Sequence, residues 1–449
     1  MDDVPLRIGC AAGFSGDRTD AAAPVVDALV AGGGPAVLIF ETLAERTLAL
    51  AQLARRLDDD AGFEPLLADL LRPVLERCLR HRIRIVSNFG AANPQGAARR
   101  IAALARELGL PEPRIAVVAG DDLSAEACRP LLAGALKDVS DSAEVTRTMV
   151  CANAYIGAEP IVDCLREDAQ IVLGGRLADP SLFVGPICHE LGWSLDDWEA
   201  VGHATLVGHL LECGVHSTGG NFEDPPYRVV PDPHRLGFPL AEVSEDSAVV
   251  TKLDGTGGAV DERTMKTQLY YEIHDPRTYL TPDVTADFSQ VRVEDLGGDR
   301  VRLSGATGRE WPATLKVLVG VDQGYRATGE ISYGGPGCLE RARRAEEILR
   351  AHLDELLDPG DQVRIDLQGM NSLFGDKEGT AYPEEVRLRL AVRTESEELA
   401  RDAAHEVELL YFGPAGGGGV VTSVVPALGV TPAYVPRELV TLETEVVTS

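Results

Sequence analysis

Residues 36–45 read AVLIFETLAE, five unbroken apolar residues followed at once by an acid, a hydroxyl and, at Glu45, a second acid. The run Ala36–Phe40 is too short for a helix and lacks the alternation of a half-buried strand. It reads as a strand covered on both faces, the mark of a parallel sheet. Four further runs share its form and its polar ending: Leu6–Cys10 before AAGFSGD, Ile83–Ser87 before NFGAANP, Ile115–Ala119 before GDD, and Ile171–Leu173 before GGRLADPS. Ligands of open α/β sheets sit beyond the carboxyl ends of such strands. The punctuation therefore predicts one shared rim and places the site there.

Helix-like stretches separate most of the runs: Asp20–Ala31, Leu43–Arg56, Glu64–His81, Ala97–Leu108 and Ala125–Leu136. This alternation predicts an α/β fold with a doubly wound, mostly parallel sheet. Residues 196–214 read as another helix, with Gly214 suited to its C-cap. Val249–Leu253 and Ser289–Ser304 read as strands around a helical Glu262–Tyr271. Further on, Leu315–Val321, Gly337–Leu357, Val363–Leu367, Val386–Arg393, Ser396–Tyr411 and Gly419–Val425 follow in the order βαββαβ. That order predicts a smaller C-terminal α+β subdomain of ferredoxin-like type. The expected division is 1–240 for the α/β domain with the site, 241–311 for a mixed connector, and 312–449 for the subdomain.

The 449 residues suffice for more than one core, and 42 basic against 71 acidic residues leave a net charge of −29. Such a surface repels nucleic acid and anionic membranes, so neither is an expected partner. The start MDDVPLRIGC lacks the basic and apolar regions of a secretion signal, and no apolar stretch is long enough to span a bilayer. The eight cysteines stand singly without a CxxC pair, which argues against a disulfide framework or a zinc ribbon. A cytoplasmic location is expected.

At the first strand end, Gly9, Gly13 and Gly16 are spaced GxxxGxxG, which is neither the dinucleotide GxGxxG nor a Walker loop. With Ser15, Gly13 and Gly16 form a loop suited to an anionic group, or only a tight βα turn. At the second, Glu41 can act as a general base, whereas acids at 41 and 45 also suit the start of a helix. At the third, Asn88 and Asn93 suit a carbonyl or carboxylate, or plain turn chemistry. At the fourth, Asp121 and Asp122 suit a metal or acid–base work, or the cap of a helix, which is the favoured reading. At the fifth, Arg176 can hold a carboxylate or phosphate, or pair with Asp179. Asn153 and Tyr155 offer a second wall. His209, Glu212 and Cys213 share one helical face with His216 just beyond, a cluster open to packing, acid–base work or metal, though no zinc spacing supports the last. Asn221 ends a small polar loop that can wrap a ligand. Cys10 and Cys213 read as buried apolar residues before nucleophiles. Arg341, Arg343 and Arg344 suit the phosphates of a CoA-like ligand or balance nearby glutamates.

In order along the chain, IGCAAGFSGDR, FETLAERT, GGRLADPSLF, HLLECGVHSTGGNF, YEIHDPRTYLTPDV, PAGGGG and PRELV resemble the acyclic terpene utilisation family, AtuA, from Arg7 to about Val440. The resemblance implies an intracellular bacterial protein associated with the breakdown of branched acyl-CoA thioesters. It transfers no catalytic residue. The expected function is thus an enzyme adding or removing water, or performing a related lyase step, on a branched acyl-CoA or carboxylated acyl substrate. Glu41 is its expected base, Asn88, Arg176 and Asp179 complete the catalytic group, and the Gly13–Gly16 loop takes the anion. No metal and no cofactor beyond CoA as part of the substrate are expected, and a homo-oligomer is. Two other readings stand beside it: a non-catalytic partner of an acyl-CoA carboxylase, and a nucleotide-dependent enzyme using the first glycine loop.

Overall fold

The structure is a computed structural model that describes residues 5–136, 142–375 and 382–447. The chain forms two units, one of Met1–Thr146, Val150–Val319 and Thr431–Ser449, the other of Arg147–Met149 and Gly320–Val430. Residues 241–311 lie wholly within the first.

The first unit begins with the expected alternation: β1 (Leu6–Cys10), α1 (Ala22–Gly32), β2 (Ala36–Phe40), α2 (Glu45–Leu57), α3 (Leu67–Leu71), α4 (Leu75–His81), β3 (Arg84–Ser87), α5 (Pro94–Glu107) and β4 (Ile115–Ala119). It continues through α6 (Arg129–Ala135), α7 (Ser142–Arg147), β5 (Met149–Ala154), α8 (Glu159–Arg166), β6 (Ile171–Gly174), α9 (Ser181–Leu191) and α10 (Trp198–Leu211). After these come β7 (Pro239–Val243), β8 (Ser247–Lys252), α11 (Glu262–Leu269), β9 (Tyr279–Leu280), β10 (Thr285–Asp287), β11 (Arg292–Asp295), β12 (Arg300–Ser304) and β13 (Thr307–Arg309).

Ten strands make one mixed sheet in the order β11-β12-β8-β7-β1-β2-β3-β6-β4-β18, where β18 is Glu443–Val447. The middle five, β1-β2-β3-β6-β4, are parallel, because helical connections return the chain to the same end of the sheet. The flanking strands are antiparallel, β7 beside β1 and β18 beside β4. Side chains alternate across a strand. Leu38 and Phe40 thus join Ile85, Val117 and Leu173 in one buried layer with α1, α4 and α5. Helices α8 and α9 contact strands of the same sheet as well, α9 against β1, β2 and β3 and α8 against β4 and β6. Cover of this kind is why the runs read as continuously apolar.

Three local expectations change. Glu64–His81 is two helices, α3 and α4, with Pro73 between them, since proline cannot donate a helical hydrogen bond. Gly214 does not cap α10; Glu212 does, and Gly214 opens a short 3-10 turn. Strands β7 and β18 fall outside the expected runs, each being five residues long and broken by acids, Glu242 in one and Glu443 and Glu445 in the other. The second unit is built from β14 (Thr314–Gly334) beyond Val319, α12 (Cys338–Leu356), β15 (Gln362–Gln368), β16 (Glu385–Thr394), α13 (Glu397–Leu409) and β17 (Gly417–Pro436) as far as Val430. Its sheet runs β15-β16-β14-β17, and Ile331, Leu388 and Leu390 pack with Leu349 of α12 and Val407 of α13. The chain as a whole is a mixed α/β protein.

Candidate functional site

The ends of β2, β3, β5 and β6 bring six of the anticipated residues together. Glu41 follows β2 and is 7% exposed; its Oε1 accepts from the Leu43 backbone N–H at 2.7 Å and from Asn88 Nδ2 at 2.9 Å. Asn88, at the end of β3, is fully buried. Its Oδ1 accepts from Thr42 N at 2.8 Å and from Thr42 Oγ1 at 3.3 Å. Both ends of the amide are thereby engaged inside the protein, and the carboxyl it holds is that of Glu41. Burial pushes the Glu41 carboxyl up to about 8; the nearby Asp179 charge adds to this and Arg176 opposes it.

Arg176 is the hub of the rim. It is 1% exposed, pairs with Asp179, donates to the Leu43 carbonyl oxygen, and lies over the ring of Tyr155 with Cζ 4.3 Å from the centroid. Its backbone N–H donates to Asp121 Oδ2 at 2.9 Å, and Asn153 Nδ2 donates to the same oxygen at 2.8 Å. Asp121 is therefore the anchor of the β6 turn, not the expected helix cap. Asp122 takes the turn role, its Oδ1 accepting from Ser124 N at 2.9 Å. The Tyr155 hydroxyl donates to Glu45 Oε1 at 2.7 Å, and Lys316 Nζ lies 4.6 Å from the centre of the same ring. Burial raises Asp179, and the guanidinium beside it only partly offsets this. Burial also pushes Glu45 up, but the Tyr155 hydroxyl with the Arg176 and Lys316 charges holds it below its ordinary range.

The remaining anticipated residues lie apart. Asn93 caps α5, its Oδ1 accepting from Gly96 N at 3.0 Å while Nδ2 donates to Asp59 O at 2.9 Å and Ala61 O at 2.8 Å. Gly13 packs on the chain after α10, where a Cβ would stand 2.5 Å from the Cys213 carbonyl carbon. Gly16 has φ +86 and supplies the turn. His216 meets the edge of Tyr271 with ring centroids 5.4 Å apart, and the Asn221 N–H closes a turn onto the His216 carbonyl oxygen at 3.3 Å. Burial raises the thiols of Cys10 and Cys213, which suits apolar packing better than nucleophilic attack. Arg341 donates to the carbonyls of Pro336 at 2.8 Å and Gly334 at 2.6 Å, and Arg344 pairs with Glu347 at 2.6 Å.

Two hollows adjoin the rim. The first, about 560 Å3, runs along α2 and is walled by Leu50, Ala51, Ala54, Phe63, Leu67 and Ala68, with Ser15, Thr42 and Thr47 adding hydroxyls and Arg100 a cation. The second, about 290 Å3, is lined by Glu45, Tyr155, Asp179, Glu212, Tyr279 and Lys316 among others. Sequence reasoning misses Tyr279 and Lys316 because each lies about a hundred residues or more beyond the strand-end motifs it joins. Among the described residues, no three His, Cys, Asp or Glu side chains gather as a metal set, and no helix is long and apolar enough to cross a membrane.

A mixed α/β scaffold with its buried acids, amides and arginine at the carboxyl ends of a parallel sheet defines the class of protein. The model of the acyclic terpene utilisation family, AtuA, matches residues 6–446, and the chain belongs to that family. No curated protein matches it. Two solved structures are similar to short parts of the chain. The de novo designed protein Ferredog-Diesel is 22% identical over 22% of this chain and 86% of its own, with a TM-score of 0.17. An amidase of the hydantoinase/carbamoylase family from Burkholderia phymatum is 19% identical over 27% of this chain and 30% of its own, with a TM-score of 0.16.

Proposed function

We propose that this chain is an enzyme that moves a proton on a branched acyl substrate, in a hydration, dehydration or related lyase step, with Glu41 as the base. The observation that carries the reading is the setting of Glu41. It is a buried carboxyl oriented by two donors, with its proton exchange brought to about 8, and the next residue, Thr42, lines an apolar groove. A base that must remove a proton beside a carbonyl works best when its affinity for protons is near the working pH. The groove supports the substrate class. Its volume falls in the range usual for small-ligand pockets, and each methyl or methylene it covers contributes about 0.8 kcal/mol. Hydroxyls of Ser15 and Thr47 are the donors for the developing enolate oxygen, and Arg100 suits an anionic end such as a CoA phosphate.

Asn88 and Arg176 act behind Glu41 in this reading, as positioning residues. Asn88 fixes the carboxyl; Arg176 with Asp179 sets the charge around it. The fold reading that accompanies it is a doubly wound parallel core and a ferredoxin-like second unit, from strand and helix order alone. The test is deuterium wash-in. A 3-methyl-branched acyl-CoA thioester is incubated with the protein in D2O and exchange beside the carbonyl is followed by mass spectrometry. Glu41→Gln is expected to fold normally and to lose about 10²-fold or more of the exchange rate. Undiminished exchange in that variant overturns the assignment.

A further inference from the structure

The second hollow takes no substrate in that reading, although Asp179 both lines it and acts on Glu41, and its wall is built for a ligand of definite charge. Four carboxyl groups line it, Glu45, Asp179, Glu212 and Glu272, against a single lining cation, Lys316. Three of the four are answered within the protein, Glu272 by the side chain of Tyr271. Asp179 pairs with Arg176, and Glu45 takes the Tyr155 hydroxyl at 2.7 Å and stands 3.5 Å from Lys316.

Glu212 is not answered. It is 7% exposed, and its Oε2 has no hydrogen-bond partner among the described residues. Its other oxygen, Oε1, stands 3.5 Å from His209 Nδ1. That nitrogen cannot supply a donor. His209 Nε2 lies 3.0 Å from the carbonyl oxygen of Gln268, which only accepts, so Nε2 carries the ring hydrogen and Nδ1 presents a lone pair. Burial keeps the ring neutral, its titration lowered to about 4. Glu212 thus lines the hollow while one of its oxygens, Oε2, is buried without a donor, and a buried acceptor left so favours the arrival of one. Burial, with the Asp179 and Glu272 charges, raises the Glu212 carboxyl well above its ordinary range, and a cation seated beside it would reverse that.

The other walls narrow the donor. The Tyr279 ring is fixed by His209 and Phe288, with centroids 5.5 and 5.7 Å away, and aromatic faces beside carboxylates favour organic cations. Glu272 is held at φ +60, a backbone state that non-glycine residues rarely adopt, and that turn keeps its acid at the hollow's edge. Leu280, Leu315 and Pro312 add apolar wall, which an inorganic ion would leave unused. We propose that this hollow is a binding site for an alkylammonium group, with its N–H donors on Glu212 and Glu272 and its alkyl part against Leu280 and Leu315.

The site is independent of the groove beside Thr42, and the test keeps them apart. The full chain is titrated calorimetrically with n-hexylammonium, hexanoate, hexan-1-ol and Mg2+. Hexylammonium is expected to bind one per chain and more tightly than the acid or the alcohol. Glu212→Gln should weaken it at least tenfold and Glu272→Gln severalfold, while Ala54→Trp in the groove leaves it unchanged. Circular dichroism checks each fold; if Glu212→Gln does not fold, the exposed Glu272→Gln decides. Preference for hexanoate or hexanol, displacement of hexylammonium by Mg2+, unchanged affinity in the glutamate variants, or no binding each overturns the proposal.

Discussion

Asn88 donates from Nδ2 to Oε1 of Glu41 across 2.9 Å, tying the end of β3 to the end of β2 beneath the rim of the sheet. Removing it leaves the Thr42 N–H, which Asn88 Oδ1 accepts at 2.8 Å, buried and unpaired. Asn88→Ala is therefore expected to destabilise the fold by about 1–3 kcal/mol. Asn88→Asp should be worse above the pH where the new acid ionises, since a charge would then stand beside the Glu41 carboxyl in the interior. Urea unfolding of the three proteins measures both differences, and equal stabilities would remove Asn88 from the framework of the rim.

Glu41 sets a pH dependence whose sign can be worked out. In the unfolded chain its carboxyl ionises near the ordinary 4.5; in the fold it does so at about 8. Between those values the native state holds the extra proton, so raising the pH favours unfolding. The stability it contributes is complete below the unfolded value and is lost as pH climbs through the folded one, at up to about 1.4 kcal/mol per pH unit. A glutamine in its place has no proton to lose, and the amide oxygen can still accept from Leu43 N and Asn88 Nδ2. Wild type should thus lose stability relative to Glu41→Gln between about pH 5 and pH 8. Parallel stability profiles for the two proteins would show that Glu41 is not the titrating group.

Arg176, at 1% exposure, is the most deeply buried cation among the described residues, and Glu41, Asp179 and Glu45 all feel its charge. Arg176→Met keeps bulk over Tyr155 but leaves Asp179 without its partner. The Asp179 side chain keeps 36% of its surface exposed, so water offsets part of that loss, and the variant is expected to lose about 1–3 kcal/mol, with the Leu43 carbonyl left unpaired as well. Arg176→Lys should fall between, because lysine keeps the charge but neither the planar stack on Tyr155 nor the fork that reaches Asp179 and the Leu43 carbonyl together. Thermal unfolding ranks them: wild type above Lys, Lys above Met.

The parallel core and the rim that gathers these side chains were legible because both follow from local rules. Val37 and Ile39 need cover on one face, Leu38 and Phe40 on the other, and whatever follows such strands faces the rim. Roles were less legible, because they depend on which atoms meet. Nothing near Asp121 says that its oxygen will take the Arg176 and Asn153 N–H groups instead of capping a helix. Nothing in the sequence near Asn93 separates a ligand contact from the three bonds that hold the start of α5. Three acids of the second hollow, Glu45, Asp179 and Glu212, were visible one by one, but Glu272, Lys316 and Tyr279 arrive from distant segments. Only tertiary structure shows that Glu212 lacks a donor.

Gly13 offers a test of whether the first loop is a binding loop or a packing contact. A Cβ there would stand 2.5 Å from the Cys213 carbonyl carbon and 2.8 Å from the Gly214 nitrogen, both backbone atoms that cannot swing aside. Gly13→Ala is expected to destabilise by about 1–3 kcal/mol, the usual range for forced overpacking. Gly16 meets open space at φ +86, so Gly16→Ala should lose only about 1 kcal/mol, through its backbone. Chemical unfolding of the pair distinguishes the two causes, and the reverse order would count against the packing role of Gly13.

The groove beside Thr42 makes the sharpest separation between fold and function. Ala54 lies on α2 and is half-buried, and its side chain helps wall the groove without a polar contact of its own. Ala54→Trp places a large ring in that space. Because the groove is a hollow of about 560 Å3, the ring has room and the fold should hold, with stability shifted by less than about 1 kcal/mol. A bound acyl chain competes for the same volume. If branched acyl thioesters lie there, the variant should lose proton exchange on them as fully as Glu41→Gln, but by weakened binding. Its loss should appear as a raised KM or Kd, whereas Glu41→Gln lowers kcat with binding retained. Retained affinity for the thioester in a folded Ala54→Trp protein would place the acyl chain elsewhere, even if Glu41 proved to be the base.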